Sequence, residues 1–290
     1  MNQMLYIVAM AVMLIGAATA VGASGGGESA EQVTKITLLT DRGTISPGGS
    51  MRVGLMFEMK EHWHIYWRNP GEAGLPPRVR WKLPEGFVMS DLRWPTPVQF
   101  DQGGGIVGYG YMGKVMLLAT LTAPSAEKLE TNKSIYIAAD VDWLVCNNVC
   151  LPGKTAVSVE AAVGEGAIPG AKNEALFAYW DKRLPERDAV KVTQVTGEVG
   201  RRVTATMAWG KPVTDATFFP LPDTEVMVTV VKVTNRGEQA DVALSVRPIG
   251  KLKADAIRVR GLVVWMEDGR RRSSEVDLPL RSAHQEARRK

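Results

Sequence analysis

The chain has 290 residues, of which 45% are hydrophobic and 23% charged, and its formal net charge is +4. This composition is that of an ordinary globular protein, which excludes fibrous and intrinsically disordered classes, and the length allows two domains with separate cores. Two basic clusters, Arg270–Arg272 and Arg288–Lys290, lack interleaved aromatic residues, so the sequence predicts no nucleic-acid partner.

The N-terminal segment 1–23 contains no charged side chain and includes an almost uninterrupted apolar stretch from Met4 to Ala18. Two small-x-small sequences, ending at Ala20 and Ala23, fit cleavage by a signal peptidase. We therefore expect a secretory signal peptide and an exported protein. An uncleaved membrane anchor is the alternative, because the segment is just long enough to cross a bilayer.

Residues 24–32 are rich in Gly and Ser and are expected to form a linker. In the next region, 33–162, short β-branched, aromatic and apolar segments alternate with turns that contain Gly and Pro. This pattern predicts a β-sandwich. The predicted strands are Ile36–Thr40, Met51–Met59, Arg78–Leu83, Val115–Leu121 and Ser134–Val145.

A segment with Gly and Pro, Val163–Gly170, marks the boundary to a second domain, 163–290, which ends in a basic tail. A helix is predicted over Ala171–Leu184, because apolar residues recur every four positions from Leu176 and Pro185 follows. The rest predicts a second β-sandwich. Its predicted strands are Val190–Val195, Arg202–Trp209, Glu225–Thr234, Ala240–Arg247 and Ile257–Met266, with hairpin turns at 235–237 and 267–269.

The chain contains two cysteines, Cys146 and Cys150, between two predicted strands. In an exported protein, cysteines this close are expected to be able to form a disulfide. A disulfide that closes a loop of about five residues stabilises a fold by about 2 kcal/mol. This is little for a domain that builds its own core. A short bridge at a turn also suits exchange. The spacing leaves open both a redox-active and a structural disulfide.

The neighbouring residues favour the redox interpretation. Trp143 leads an apolar segment into the first cysteine, and the charge of Lys154 would favour a thiolate. The segment Pro97–Gly113 contains six glycines and is a candidate for a mobile cover over a reactive disulfide. An ordinary flexible hairpin is the alternative for the segment Pro97–Gly113. After the second cysteine, Pro152-Gly153 is expected to complete a tight connection.

Two other kinds of site compete with this interpretation. His62 and His64 would project from one face of a strand and, with Cys146 and Cys150, offer two imidazoles and two thiolates to zinc or copper(I). Packing or surface histidines are the simpler alternative. A non-catalytic interaction module with a structural disulfide is the third hypothesis. Motifs of serine hydrolases, phosphate loops and dinucleotide sites are absent from the sequence.

Several motifs in the first region occur in an order that resembles one family. They are His62–Gly71, Gly74–Pro77, Trp94–Pro97, Gly108–Tyr111, Trp143–Cys146 and Cys150–Gly153. Together they resemble the N-terminal periplasmic domain of the thiol:disulfide interchange protein DsbD, in the form found in its relative, the suppressor-of-copper-sensitivity protein B. The resemblance covers roughly residues 33–162, and 163–290 resemble, less specifically, the second immunoglobulin-like domain of the latter branch.

The resemblance implies an all-β chain of two immunoglobulin-like β-sandwich domains, with a short helix at the start of the second. It implies a periplasmic domain without a cofactor that takes electrons from a thioredoxin-like protein through a mixed disulfide and reduces disulfide isomerases and related oxidoreductases. Cys146 and Cys150 match the reactive pair, and Cys150 would form the disulfide with the partner. Links to cytochrome c biogenesis and to copper tolerance follow from the same resemblance.

The resemblance also implies which side chains surround the cysteines. Phe100 or Tyr109 falls where the family has a cap loop that shields the disulfide. His64 and Tyr66 fall on a strand whose aromatic side chains flank the pair, and Trp143 is expected as a further flanking residue.

Full-length family members continue into a membrane domain that conducts electrons and then into a thioredoxin-like domain. This sequence has no second apolar span and no Cys-x-x-Cys motif. We therefore expect a stand-alone form that receives electrons from a separate membrane protein.

Overall fold

The computed structural model describes residues 28–125, 127, 134–164, 171–252 and 256–281, and it consists almost entirely of β-strands. The predicted signal peptide, residues 24–27 of the predicted linker and the end of the basic tail lie outside the described residues. No helix in the described ranges is long and apolar enough to cross a membrane.

The first sandwich contains a short helix and the strands β1 to β11. Their bounds are α1 Ala30–Val33, β1 Thr34–Thr40, β2 Thr44–Ile45, β3 Ser50–Met59, β4 His64–Gly71, β5 Arg78–Lys82, β6 Val88–Met89, β7 Val98–Asp101, β8 Val107–Met112, β9 Lys114–Thr122, β10 Ser134–Cys146 and β11 Cys150–Val163. One sheet has the order β1-β3-β9-β6. The other has the order β2-β11-β10-β4-β8-β7, with β5 also paired to β10. Alternate side chains of β10 enter the core between the sheets, as the two-residue period of a strand requires.

Helix α1 differs from the expected linker. Ser29 accepts a hydrogen bond from the backbone N–H of Gln32 at 3.3 Å, and Gln32 Oε1 accepts one from the backbone N–H of Ser29 at 2.8 Å. This capping box starts a helix although the preceding composition is that of a linker. Ala30 and Val33 are buried, so the turn closes one end of the first sandwich.

The second sandwich follows a longer helix. The bounds are α2 Ala171–Asp181, β12 Lys191–Thr196, β13 Arg202–Ala208, β14 Thr214–Pro220, β15 Val226–Arg236, β16 Gln239–Pro248, β17 Ala256–Glu267 and β18 Arg270–Arg281. A sheet β12-β13-β16-β15 packs on a sheet β14-β17-β18 around a separate core. The predicted turn at 267–269 is confirmed, with φ of 49° at Asp268 and 71° at Gly269.

All ten predicted strands are present, with ends shifted by at most two residues, and the all-β fold of immunoglobulin-like sandwiches is confirmed. Helix α2 has the predicted place in the chain, but its apolar side packs against the first sandwich. Phe177, Trp180 and the following Leu184 are buried in that core. Arg52 on β3 forms ion pairs with both Asp41 and Asp181, which hold the end of α2 in place.

The two sandwiches share apolar side chains. Phe219, Leu221, Leu262 and Val264 belong to the second sandwich by sequence, yet they are buried in the core cluster of the first. The two halves therefore meet across a continuous apolar contact.

Candidate functional site

The two cysteines face each other across the hairpin that joins β10 to β11. Cys146 and Cys150 are cross-strand partners, and they form the expected disulfide with Cα atoms 4.1 Å apart. The backbone N–H of Asn147 donates to the carbonyl oxygen of Val149 at 3.0 Å within the three-residue turn. The strand register therefore places the two cysteines opposite each other.

The sequence suggested that Pro152 and Gly153 complete a tight connection, but the structure shows no turn at these residues. They lie within β11, opposite Leu144 and Trp143. A Cβ on Gly153 would lie 2.3 Å from Trp143 Cζ2, so the indole ring occupies the space that a side chain would need. The glycine therefore permits a close approach within a strand.

The two sulfurs differ in access. Cys146 is 2% exposed because its strand lies between β11 and β4, whereas Cys150 is exposed at the start of β11. Within the described residues, β11 pairs with β2 through Ala162 and Val163, at its far end. Cys150 is therefore the more accessible of the two cysteines.

His64 is the cross-strand neighbour of Cys146 on β4. Its side chain is buried, and burial lowers the pKa of the imidazole. Among the described residues, its Nε2 is buried without a hydrogen-bond partner. The imidazole is therefore neutral near pH 7.

An aromatic cluster lies on the same face of the sheet as the disulfide. The ring of His64 is 4.3 Å from that of Phe100 and 5.3 Å from that of Tyr66. The Tyr66 hydroxyl donates to Gln102 Oε1 at 2.8 Å, and burial raises the pKa of the phenol. These rings cover the side of the hairpin on which Cys146 lies.

The segment Pro97–Gly113, the candidate for a mobile cover, contains the β7–β8 hairpin. Strands β7 and β8 pair from Val98↔Gly110 to Asp101↔Val107. Gly108 lies in β8, where a Cβ would be 2.5 Å from Phe100 Cε2. Because Gly108 has no side chain, the Phe100 ring can lie across β8 toward β4.

Tyr109 and Trp143, two of the expected flanking residues, lie on the opposite face of the sheet. Tyr109 packs against Phe219 of the second sandwich, with ring centroids 4.9 Å apart, and Trp143 is buried in the core. Successive side chains of a strand alternate between faces, which separates both from the disulfide. Of the predicted surrounding residues, the structure brings together His64, Tyr66 and Phe100.

The expected pairing of His62 and His64 on one strand face is wrong. His62 precedes β4, in a turn with φ of 68°, and its exposed imidazole lies 3.6 Å from Glu61 Oε1. Among the described residues, no group of three or more His, Cys, Asp or Glu side chains is placed to hold a metal ion. Both thiols that the metal hypothesis needs are joined in the disulfide.

The ammonium of Lys154 is not beside the sulfurs either. Lys154 lies four residues beyond Cys150 on β11, opposite Asp142, which corresponds to about 13 Å along a strand. Its charge faces Asp142, whose carboxyl has a pKa lowered by a hydrogen bond from Arg80. The expected stabilisation of a thiolate by Lys154 has no support in this geometry.

A surface groove of about 550 Å³ begins next to the disulfide on the same sheet. It is lined by Glu31, Leu75, Pro76, Arg78, Asp142, Trp143, Leu144, Pro152, Gly153 and Lys154. Leu144 and Pro152 form the next pair on the face that carries the cysteines. Leu75 is 58% exposed, so the groove offers apolar surface with charged groups at its rim.

Comparison with known proteins gives a family match for the first sandwich. Residues 38–161 match the family model of the thiol:disulfide interchange protein DsbD, N-terminal domain. No protein in the curated set matches the chain significantly.

Among solved structures, the N-terminal periplasmic domain of ScsB from Proteus mirabilis is similar, with a TM-score of 0.63 and 18% identity. The match covers 87% of this chain and 94% of that chain, so the fold is shared across both sandwiches. The periplasmic chaperone SfaE has a TM-score of 0.26 at 8% identity, covering 84% of this chain and 98% of that chain. A conserved domain protein from Bacillus anthracis has a TM-score of 0.25 at 7% identity, covering 86% of this chain and 87% of that chain. Neither of these two scores supports an argument about the chain. Residues 38–161, which carry the Cys146–Cys150 disulfide, therefore match the N-terminal domain family of the thiol:disulfide interchange protein DsbD.

Proposed function

We propose that this chain is a periplasmic protein that passes electrons between other proteins through its Cys146–Cys150 disulfide. The donor is a thioredoxin-like protein or a separate membrane electron-transfer protein, and the acceptors are periplasmic partners such as disulfide isomerases. The observation that carries the proposal is a disulfide, in a domain of this family, that joins an exposed sulfur to a buried one.

The periplasmic location has three supports. Residues 1–23 contain the apolar run and the small-x-small sites of an export signal. The similar ScsB domain is a periplasmic domain. A disulfide between neighbouring cysteines also suits an oxidising compartment.

The exchange follows from the access of the two sulfurs. A thiolate of the reduced donor attacks the sulfur of Cys150, the disulfide breaks, and the sulfur of Cys146 leaves as a thiolate that takes up a proton. The donor's second thiolate then attacks the mixed disulfide and releases Cys150, so the donor is oxidised and this pair is reduced. Reduced Cys150 attacks the disulfide of an acceptor, and Cys146 resolves that mixed disulfide.

The aromatic cluster supports selectivity of the disulfide for particular partner proteins. His64, Tyr66 and Phe100 occupy the β4 side of the hairpin, beside the buried sulfur of Cys146. An attacking thiolate must therefore approach from the side of Cys150, and the partner must fit the surface around it. Val149 in the turn is 60% exposed, and the groove at Leu144 and Pro152 continues this apolar surface.

Covalent trapping of a partner tests the proposal. Cys146→Ser retains the exposed cysteine and is expected to form a lasting mixed disulfide with a thioredoxin-like protein whose resolving cysteine has been removed. Cys150→Ser is the matched control and should give little product, because the remaining sulfur is buried. Each reaction is started with one protein activated as an aromatic mixed disulfide, and products are separated on non-reducing gels. Equal yields from the two variants, or no product from either, contradict the proposal.

The reduction potential separates exchange from a structural disulfide. We expect a potential above about −300 mV, measured by equilibration with dithiol buffers, since structural disulfides in secreted proteins lie below that value. A lower potential would support the interaction module with a permanent disulfide.

A further inference from the structure

The back of the β7–β8 hairpin rests on the second sandwich. Tyr109 on β8 packs edge to face against Phe219 on β14, with ring centroids 4.9 Å apart. Phe219 also contacts Trp67 on β4, at 6.1 Å between centroids. One side chain of the second sandwich therefore supports both strands that lie behind the aromatic cluster.

The start of the hairpin is held by the same sandwich. The Arg271 guanidinium on β18 donates hydrogen bonds to the carbonyl oxygens of Thr96 and Pro97, directly before β7. The hydroxyls of Thr96 and Ser273 are also hydrogen-bonded to each other. The chain thus enters the hairpin from a point fixed by β18.

The first sandwich also holds the hairpin, through strand pairing and through hydrogen bonds that involve Glu72 and Tyr66. β8 pairs with β4 from His64↔Met112 to Tyr66↔Gly110, and the register then breaks before Gly71↔Gly108. β7 is the outermost strand of the sheet order, and a cleft of about 320 Å³ separates it from β14, β17 and β18. The hairpin is therefore held by both sandwiches. The second sandwich contacts its start and Tyr109, while β7 has space behind it.

We propose that the second sandwich positions the β7–β8 hairpin and thereby controls access to the disulfide, with Phe219 and Arg271 as positioning residues. They act through the hairpin, which holds Phe100 over Gly108 and against His64 beside Cys146. This inference rests on the proposed exchange function and adds a role for the second sandwich.

The test compares neighbouring phenylalanines in the full chain. Phe219→Ala removes the support of Tyr109, whereas Phe218→Ala removes an equal ring that points into the second sandwich's own core. We measure the rate of disulfide reduction by dithiothreitol under native conditions, by labelling the thiols formed. Phe219→Ala is expected to raise the rate by about tenfold through easier local opening, and Phe218→Ala to leave it near the wild-type value.

Hydrogen exchange gives a readout that general destabilisation would not reproduce. In Phe219→Ala, amide exchange should rise in Val98–Met112 and stay unchanged in β10 and β11. If Phe219→Ala fails to fold, the same measurements on Arg271→Met test the inference. This variant retains side-chain bulk and removes the hydrogen bonds to Thr96 and Pro97. Equal acceleration by both phenylalanine variants overturns the inference, as does a wild-type rate in folded Phe219→Ala or Arg271→Met. A small dithiol needs no protein partner, so these outcomes are independent of the trapping experiment.

Discussion

The disulfide combines two residues with opposite environments. Cys150 faces solvent, whereas Cys146 is enclosed by β4, β11 and the aromatic cluster. The nearest titratable neighbour in the register is His64, which is 7% exposed. Because the His64 imidazole is buried, its protonation affects the free energy of unfolding, which therefore depends on pH.

The first prediction concerns His64. Burial lowers its pKa below the ordinary value of 6.5, so the unfolded chain binds more protons than the folded one as the pH falls below that value. Stability from this group is therefore present above pH 6.5 and is lost as the pH falls toward the folded pKa. The slope is at most about 1.4 kcal/mol per pH unit for one proton.

Urea unfolding between about pH 5 and 7.5 measures this slope. His64→Phe fills the same aromatic site without a titrating group and should flatten the dependence in this range. His62→Ala, at the exposed histidine, should retain the wild-type slope. A slope unchanged by His64→Phe would contradict the assignment.

The second prediction concerns Leu75. It is exposed in the groove beside the cysteine hairpin, so Leu75→Asp should slow exchange with a protein partner by about fivefold, the effect of about 1 kcal/mol. Reduction by dithiothreitol should not change, because the small molecule does not use the groove. Met227 in the second sandwich is also 58% exposed, and Met227→Asp is the matched control. Equal slowing by both variants would mean that the groove has no special role.

At the level of elements, the β7–β8 hairpin determines what lies over the site. Its glycines have two different uses. Gly103, Gly104 and Gly105 form the turn with positive φ, whereas Gly108 gives room for the Phe100 ring within a strand. A glycine-rich composition was therefore compatible with an ordered hairpin.

The third prediction follows from Gly108. In Gly108→Ala, the new methyl group would lie 2.5 Å from Phe100 Cε2 and 2.7 Å from Gln102 Nε2, so both side chains must move. Displacement of the ring from His64 should speed reduction by dithiothreitol by about fivefold, since about 1 kcal/mol of local stability is lost. Gly250→Ala, where a Cβ meets nothing within 4 Å, should react at the wild-type rate. Identical rates for wild type and Gly108→Ala would show that Phe100 does not limit access.

On the scale of the whole molecule, the sandwiches are joined by shared cores. Helix α2 buries Phe177 and Trp180 in the first sandwich, and Phe219 enters the same cluster from the second. Arg52 lies over the Phe177 ring, 5.3 Å from its centroid, and pairs with Asp181 at the end of the helix. The linking helix thus adds to the first core instead of separating the halves.

We therefore expect the two sandwiches to unfold in one calorimetric transition. Phe177→Ala should destabilise the protein by about 3 to 5 kcal/mol, because a fully buried aromatic ring leaves a cavity. The exposed Tyr179 on the same helix provides the control, and Tyr179→Ala should change stability far less. Two separate transitions in the wild-type protein would contradict the coupling.

The local pattern of the sequence determined ten of the strands, the proximity of the cysteines and the predicted turn at 267–269, because periodicity and turn residues act over a few positions. Ordered motifs in the first region determined the family. Other strands were not predicted, such as the polar β18. Its Arg272 forms ion pairs with Glu186, which is distant in sequence, and with Glu267, which lies across the turn.

Only the tertiary structure decided which sulfur is accessible, because the burial of Cys146 comes from β4, a strand remote in sequence. It also separated His62 from His64, placed Tyr109 and Trp143 behind the sheet, and set the β7–β8 hairpin on the second sandwich. These features depend on register and on packing between distant segments, which residue patterns along the chain do not encode locally.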